Sequence, residues 1–70
     1  MGMVTKIKML LVKKGMTQKE VAEKLGVTQG NLSRKFSSDN LSERDIEKIA
    51  GILNCEFRGT FIDRDTNEIL

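Results

Sequence analysis

The chain has 70 residues, 39% hydrophobic and 31% charged, with no Pro, no His and a single Cys. That is one small globular domain, too short for a large core, and it excludes an internal disulfide and a histidine-based metal site. A partner chain is the default remedy for such a size. The net charge of +2 hides an asymmetry. Lys6, Lys8, Lys13, Lys14, Lys19, Lys24, Arg34 and Lys35 face only Glu20 and Glu23 in residues 1–38, leaving +6 there and −4 in residues 39–70. The basic half suggests a polyanionic partner, with a solvated lysine face as the plain alternative. No apolar run approaches a membrane span and no signal peptide is visible, so a cytoplasmic location is expected.

Met1-Gly2 reads as a leader before a start at Met3 and is set aside. A first helix is expected over about 4–14, where Ile7, Leu10, Leu11 and Lys14 follow helical spacing and Gly15 stands ready to end it. Met9 and Val12 widen its apolar face, which points to cover by the C-terminal segment or to a contact surface. Thr17 and Glu20 have capping-box spacing and open a second helix over about 17–25. Val21, Ala22 and Leu25 form its stripe, and Gly26 stops it. Thr28 caps a third helix over about 28–36, in which Phe36 packs four residues after Leu32. Ser37 to Asn40 is a polar loop. Ser42 and Asp45 repeat the cap spacing and begin a fourth helix over about 42–53, with Ile46, Ile49, Ala50 and Leu53 as its stripe. The period then changes. Residues from Cys55 to Ile62 alternate as a strand, Asp63 to Asn67 form a solvated turn, and Glu68 to Leu70 return, giving a hairpin over about 55–70.

Residues 17–36 carry the strongest pattern. The order is cap, Gln18, Val21, small Ala22, Leu25, Gly26, Val27, cap Thr28, Leu32. A short turn with a small residue at the crossing suits two helices meeting steeply, with Val21, Leu25, Val27 and Leu32 closing the wedge. This pattern resembles the helix-turn-helix of the lambda-repressor/Cro-like (Xre-type) proteins, and the resemblance extends from Ile7 to Leu53. Ser33-Arg34-Lys35 followed by Ser38-Asp39-Asn40 resembles a subset of small bacterial members that end in a strand pair. The fold it implies is mainly α: a four-helix lambda-repressor-like domain with a C-terminal β-hairpin.

The resemblance implies binding of double-stranded DNA by a transcriptional regulator, with the third helix in the major groove. Gln29, Arg34 and Ser33 are then base-contact candidates; Arg34 suits guanine and Gln29 suits adenine. Gln18 matches a position that binds phosphate and braces the first recognition residue, Gln29. Thr17, Lys19, Thr28, Asn31, Lys35, Ser37, Ser38 and Asn40 complete the phosphate set. Two residues depart from the pattern. Gly30 occupies a position that often reads a base, and Lys35 stands where an apolar core residue is usual.

No catalytic set, cofactor or small-molecule ligand is expected, and Cys55 reads as a small core residue. Asp63, Asp65 and Glu68 could mimic an alternating metal loop, but its ligand count and glycine are absent. The hairpin is too small to stand alone, so a homodimer through residues 55–70 is expected, with Phe57, Phe61 and Ile62 as contacts. A hairpin folded back over Met9 and Val12 is the competing arrangement. Repression by occupancy of a near-palindrome is the functional expectation. The alternative is a protein-interaction module, an antitoxin or anti-repressor partner, on the same scaffold.

Overall fold

The computed structural model describes residues 2–69. Its order is α1 (Met3–Lys14), α2 (Gln18–Leu25), α3 (Gln29–Ser37), α4 (Glu43–Ile52), β1 (Cys55–Phe57) and β2 (Phe61–Asp63). Each of the last three helices begins on a side-chain cap. Thr17 and Ser42 form full capping boxes with Glu20 and Asp45, and the Thr28 hydroxyl accepts the Asn31 N–H. Each such cap satisfies backbone donors that the helix leaves unpaired, and is worth about 1 kcal/mol.

The helix ends are equally local. After α2, the Val27 N–H bonds back to the Ala22 carbonyl at 3.0 Å and the Gly26 N–H to Glu23 at 3.2 Å. This is the Schellman pattern, which needs a left-handed residue, and Gly26 supplies φ 77°. The same pair of bonds closes α1 at Gly15 and α3 at Asp39, where an aspartate takes φ 51°. Lys13 and Lys14 lie in the last turn of α1, where cations complement the helix dipole.

The core joins all the elements. Ile7, Leu10 and Leu11 of α1 meet Val21 and Ala22 of α2, Leu32 and Phe36 of α3, Ile49 and Ala50 of α4, and then Leu53, Cys55 and Phe61. Lys35 is left outside, and Phe36 takes the packing position. Burial pushes the Cys55 thiol up from its ordinary range. Among the described residues no helix is long and apolar enough to cross a membrane.

The C-terminal segment differs from the expectation in several ways. The alternating run 55–62 is not one strand. It folds at Arg58-Gly59-Thr60, where Gly59 has φ 71°, and pairs Cys55 with Asp63, Glu56 with Ile62 and Phe57 with Phe61. The expected return strand contributes only a bridge between Ile62 and Ile69, and Leu70 lies outside the described residues. Phe61 is 0% exposed, so it is a core residue and offers nothing to a dimer surface. Phe57 stacks on it with ring centroids 5.1 Å apart and is half-buried, as is Ile62. The hairpin does not cover Met9 and Val12 either, which are 51% and 83% exposed.

A further difference is Asp63. It is no solvated turn residue but 1% exposed. Its carboxylate meets Lys13 Nζ at 2.8 Å and Lys14 Nζ at 2.6 Å. It also accepts the Asp65 N–H at 2.9 Å. Glu68 adds a second partner for Lys13, and Asp65 one for Lys14. The register explains the burial: Cys55, Phe57, Phe61 and Asp63 lie on the inward face of the hairpin. A carboxylate there is tolerated because two cations and an amide satisfy it. The hydrogen bonds from Lys13 and Lys14 hold the Asp63 carboxyl well below the usual range, and Asp63 likewise raises the Lys14 ammonium.

This network makes stability depend on pH with a defined sign. A carboxyl whose folded pKa is depressed stabilises the fold above its unfolded value, about 4, and loses that contribution as pH falls further. Glu68, lowered chiefly by Lys13, acts in the same direction. Asp63→Asn is therefore expected to lower the thermal midpoint at pH 7. The deficit against the unaltered chain should shrink progressively below about pH 4. Melting followed by circular dichroism between pH 7 and pH 2 checks this, and a deficit independent of pH would contradict it.

Candidate nucleic-acid interface

α2 and α3 are joined by Gly26-Val27-Thr28 and pack through Val21, Ala22 and Leu32. Ala22 is 2% exposed at this junction, where a larger side chain would separate the helices. Two of the expected wedge residues sit further out. Leu25 is only half-buried, and Val27 is 41% exposed because the Schellman turn carries it past the crossing.

Helical geometry orders the outward side of α3. At about 100° per residue, Gly30 and Arg34 fall opposite the buried pair Leu32 and Phe36. Ser37 flanks that line on one side and Asn31 on the other, Lys35 lies further round, and Gln29 falls toward the side of Phe36, about 140° from Arg34. All six are exposed. Arg34 Nη2 donates to Asn31 Oδ1 one turn earlier, which leaves four of the five guanidinium N–H donors for other acceptors. Ser33 is half-buried, and its hydroxyl lies 3.4 Å from Gln18 Oε1. The brace from Gln18 thus reaches Ser33 rather than Gln29. It ties the first residue of α2 to the middle of α3 and leaves the Gln18 amide N–H groups available.

The polar residues around this face have mixed commitments. The Thr17 hydroxyl bonds to Glu20 within the capping box, and the Thr28 hydroxyl accepts the Asn31 N–H but retains its own proton. The Ser38 hydroxyl bonds back to the Arg34 carbonyl at 2.9 Å. Lys19, Ser37 and Asn40 are exposed. Lys35 reaches Asp45 Oδ2 at 3.2 Å, tethering α3 to α4. The Ser42 N–H in the capping box, aided by Lys35, holds the Asp45 carboxyl below its ordinary value. Sequence reasoning assigned Lys35 to phosphate without seeing this partner. It also counted Lys13 and Lys14 with the basic face, whereas both are neutralised by the hairpin. Among the described residues, Lys6, Lys8, Lys19 and Lys24 form no ion pair, so the positive field is smaller than the sequence count implied.

Gly30 has ordinary helical backbone, and a Cβ built there meets no heavy atom within 4 Å. The glycine is therefore not required by the fold, and it weakens the start of α3. Gly30→Ala is expected to stabilise the chain by about 0.5–1 kcal/mol, measured as a higher urea midpoint with an unchanged slope. A loss of stability would contradict the open geometry.

The sequence profile of the helix-turn-helix family HTH_3 matches residues 7–59, from the first buried turn of α1 to the hairpin turn. Comparison with curated proteins finds no match, and comparison with solved structures finds none either. The matched span takes in α1 from Ile7 onward and all of α2, α3 and α4, including the α2–turn–α3 unit with its exposed outer face. The chain belongs to this family of Cro/C1-type, Xre-like helix-turn-helix proteins and is a DNA-binding regulator.

Proposed function

We propose that the chain is a sequence-specific regulator that reads duplex DNA with the outer side of α3 and represses by occupying its operator. The observation that carries this reading is Arg34, held on the exposed line of α3 by Asn31 while Gln18 braces the same helix through Ser33. A guanidinium fixed in this way suits the two acceptors of guanine, O6 and N7. Gln29 lies one turn before Ser33 and supplies the matching pair for adenine. Ser33, whose O–H is donated to Gln18, adds a short acceptor. Thr17, Gln18, Lys19, Thr28, Asn31, Lys35, Ser37, Ser38 and Asn40 surround these residues and serve as phosphate contacts. The ends of α2 and α3 add oriented N–H groups.

A single domain of this size reads a short half-site, and a homodimer doubles it. Residues 55–69 support such a pairing. Among the described residues β1 has one strand neighbour, β2, so its other edge is open to a second strand. Phe57 and Ile62 are the half-buried contacts beside it. Two copies would present their α3 helices about 34 Å apart to a near-palindrome.

The rival reading is a protein-interaction module. Exposed Met9, Val12 and Ile69 favour it, as does Gly30 in place of a base-reading side chain. Retention on heparin that falls with salt separates the two.

Two measurements test the proposal. A duplex selected from a random pool is titrated with the unaltered chain, Arg34→Ala and Lys35→Ala at fixed salt. Arg34→Ala should cost about 1–3 kcal/mol and relax preference at one base pair. Lys35→Ala should weaken all duplexes alike and lower the salt slope by about one. Unchanged affinity of Arg34→Ala removes the readout. Sedimentation at micromolar concentration should show a dimer, and a monomer throughout removes the palindromic arrangement.

A further inference from the structure

An apolar cleft opens beside the proposed DNA-reading face, between α2, α3 and α4. It measures about 80 Å³, and its floor is aliphatic: Leu25, Val27, Leu32, Leu41 and Ile49. That is room for a single aliphatic side chain, far above the 10–15 Å³ or so that one water needs. Val27 lies there 41% exposed, with Leu25 and Leu41 half-buried on either side. A shallower depression continues from it along α4, lined by Lys24, Leu25, Lys48, Gly51 and Ile52. Leu25 and Lys48 belong to both, so the two form one groove.

The rim has a definite sign. Lys24, Lys35 and Lys48 border the groove against one carboxylate, Asp45, which is already bound to the Ser42 N–H and to Lys35. Among the described residues Lys24 and Lys48 form no ion pair. An aliphatic floor gives a DNA phosphate nothing, whereas cations at the rim favour carboxylates. We propose that this groove docks an acidic segment of a partner protein, with one aliphatic side chain in the cleft and carboxylates on Lys24 and Lys48. The α3 wall of the cleft is made by Asn31, Leu32 and Lys35, and Asn31 is also the residue that holds Arg34. A seated segment therefore draws on groups that DNA uses, and the two ligands oppose each other. By linkage each weakens the other by the same factor.

The direct probe is a fluorescein-labelled peptide with one central leucine between two pairs of glutamates. Its controls carry alanine at the centre or lysines at the flanks. Anisotropy is read without DNA, so the outcome does not depend on the proposed readout. The leucine peptide should bind, the alanine form about tenfold or more weaker, and the lysine-flanked form not at all. Lys48→Glu and Val27→Glu alter exposed side chains outside the core and should abolish binding, with folding verified by melting. Lys48→Glu should leave duplex affinity unchanged, and unlabelled selected duplex should displace the peptide. Equal binding of the three peptides, or full binding by Lys48→Glu, overturns the docking site. Peptide binding that duplex does not affect overturns the opposition between the two ligands.

Discussion

The carboxylate of Asp63, buried between Lys13 and Lys14, ties the two ends of the chain together. A hairpin with three residues in each strand cannot hold itself in water. Here its inward face is held by Phe61 and Cys55 in the core and, on the same face, by the contact of Asp63 with the two lysines. α1 is fixed by the same contact, since both lysines occupy its last turn. Removing one partner of such a group leaves a charge without compensation, which is why the arrangement is demanding of geometry. A chain with one cysteine and no histidine has no disulfide or histidine-bound zinc with which to close its ends. Packing and this ionic contact do so instead.

With its ends joined, the domain can hold α2 and α3 at a fixed angle. The determinants of that angle are short-range. The Thr17 and Thr28 caps start the helices, and Gly26 ends the first with two backbone bonds. Ala22 then allows the close approach. The hydrogen bond from Ser33 to Gln18 adds a polar tie outside the core, on the side where the face of α3 opens. The face is thus positioned by elements that do not themselves belong to it.

These local devices are why so much was legible in the sequence. Caps, glycine stops and the helical stripes of Ile7, Leu32 and Ile49 depend on neighbours within one turn. The hairpin was harder for a specific reason. The turn at Arg58-Gly59-Thr60 has an odd number of residues, so the inward parity of Cys55 and Phe57 passes unbroken to Phe61 and Asp63. One long strand and a folded pair therefore look the same in alternation. The same parity marked Asp63 as inward, and its charge hid it. Its partners lie about fifty positions away along the chain, at Lys13 and Lys14, where no periodicity can reveal them. Met9 and Val12 failed for the opposite reason. Their apolar character suggested cover, and what covers a helix face is decided by the path of a remote segment.

The charge asymmetry takes a different meaning once these pairs are known. Lys13 and Lys14 answer the hairpin and Lys35 answers α4, so three of the eight basic residues in the first half serve the fold. What remains for a polyanion is Lys6, Lys8, Lys19, Lys24 and Arg34, of which Lys19 stands in the first turn of α2 and Arg34 on the outer line of α3. A weak diffuse field lowers sequence-independent binding, since that depends on the number of phosphates neutralised. Discrimination then rests more heavily on the few side chains that reach bases. In the proposed reading Arg34 is the chief of these, and its orientation is already set by Asn31 before DNA arrives. A side chain held in place loses less freedom on binding. Gly30, one turn before Arg34, adds no side chain that competes for the same groove. On that proposed reading the interface presents one guanidinium, and a second copy of the domain would add another.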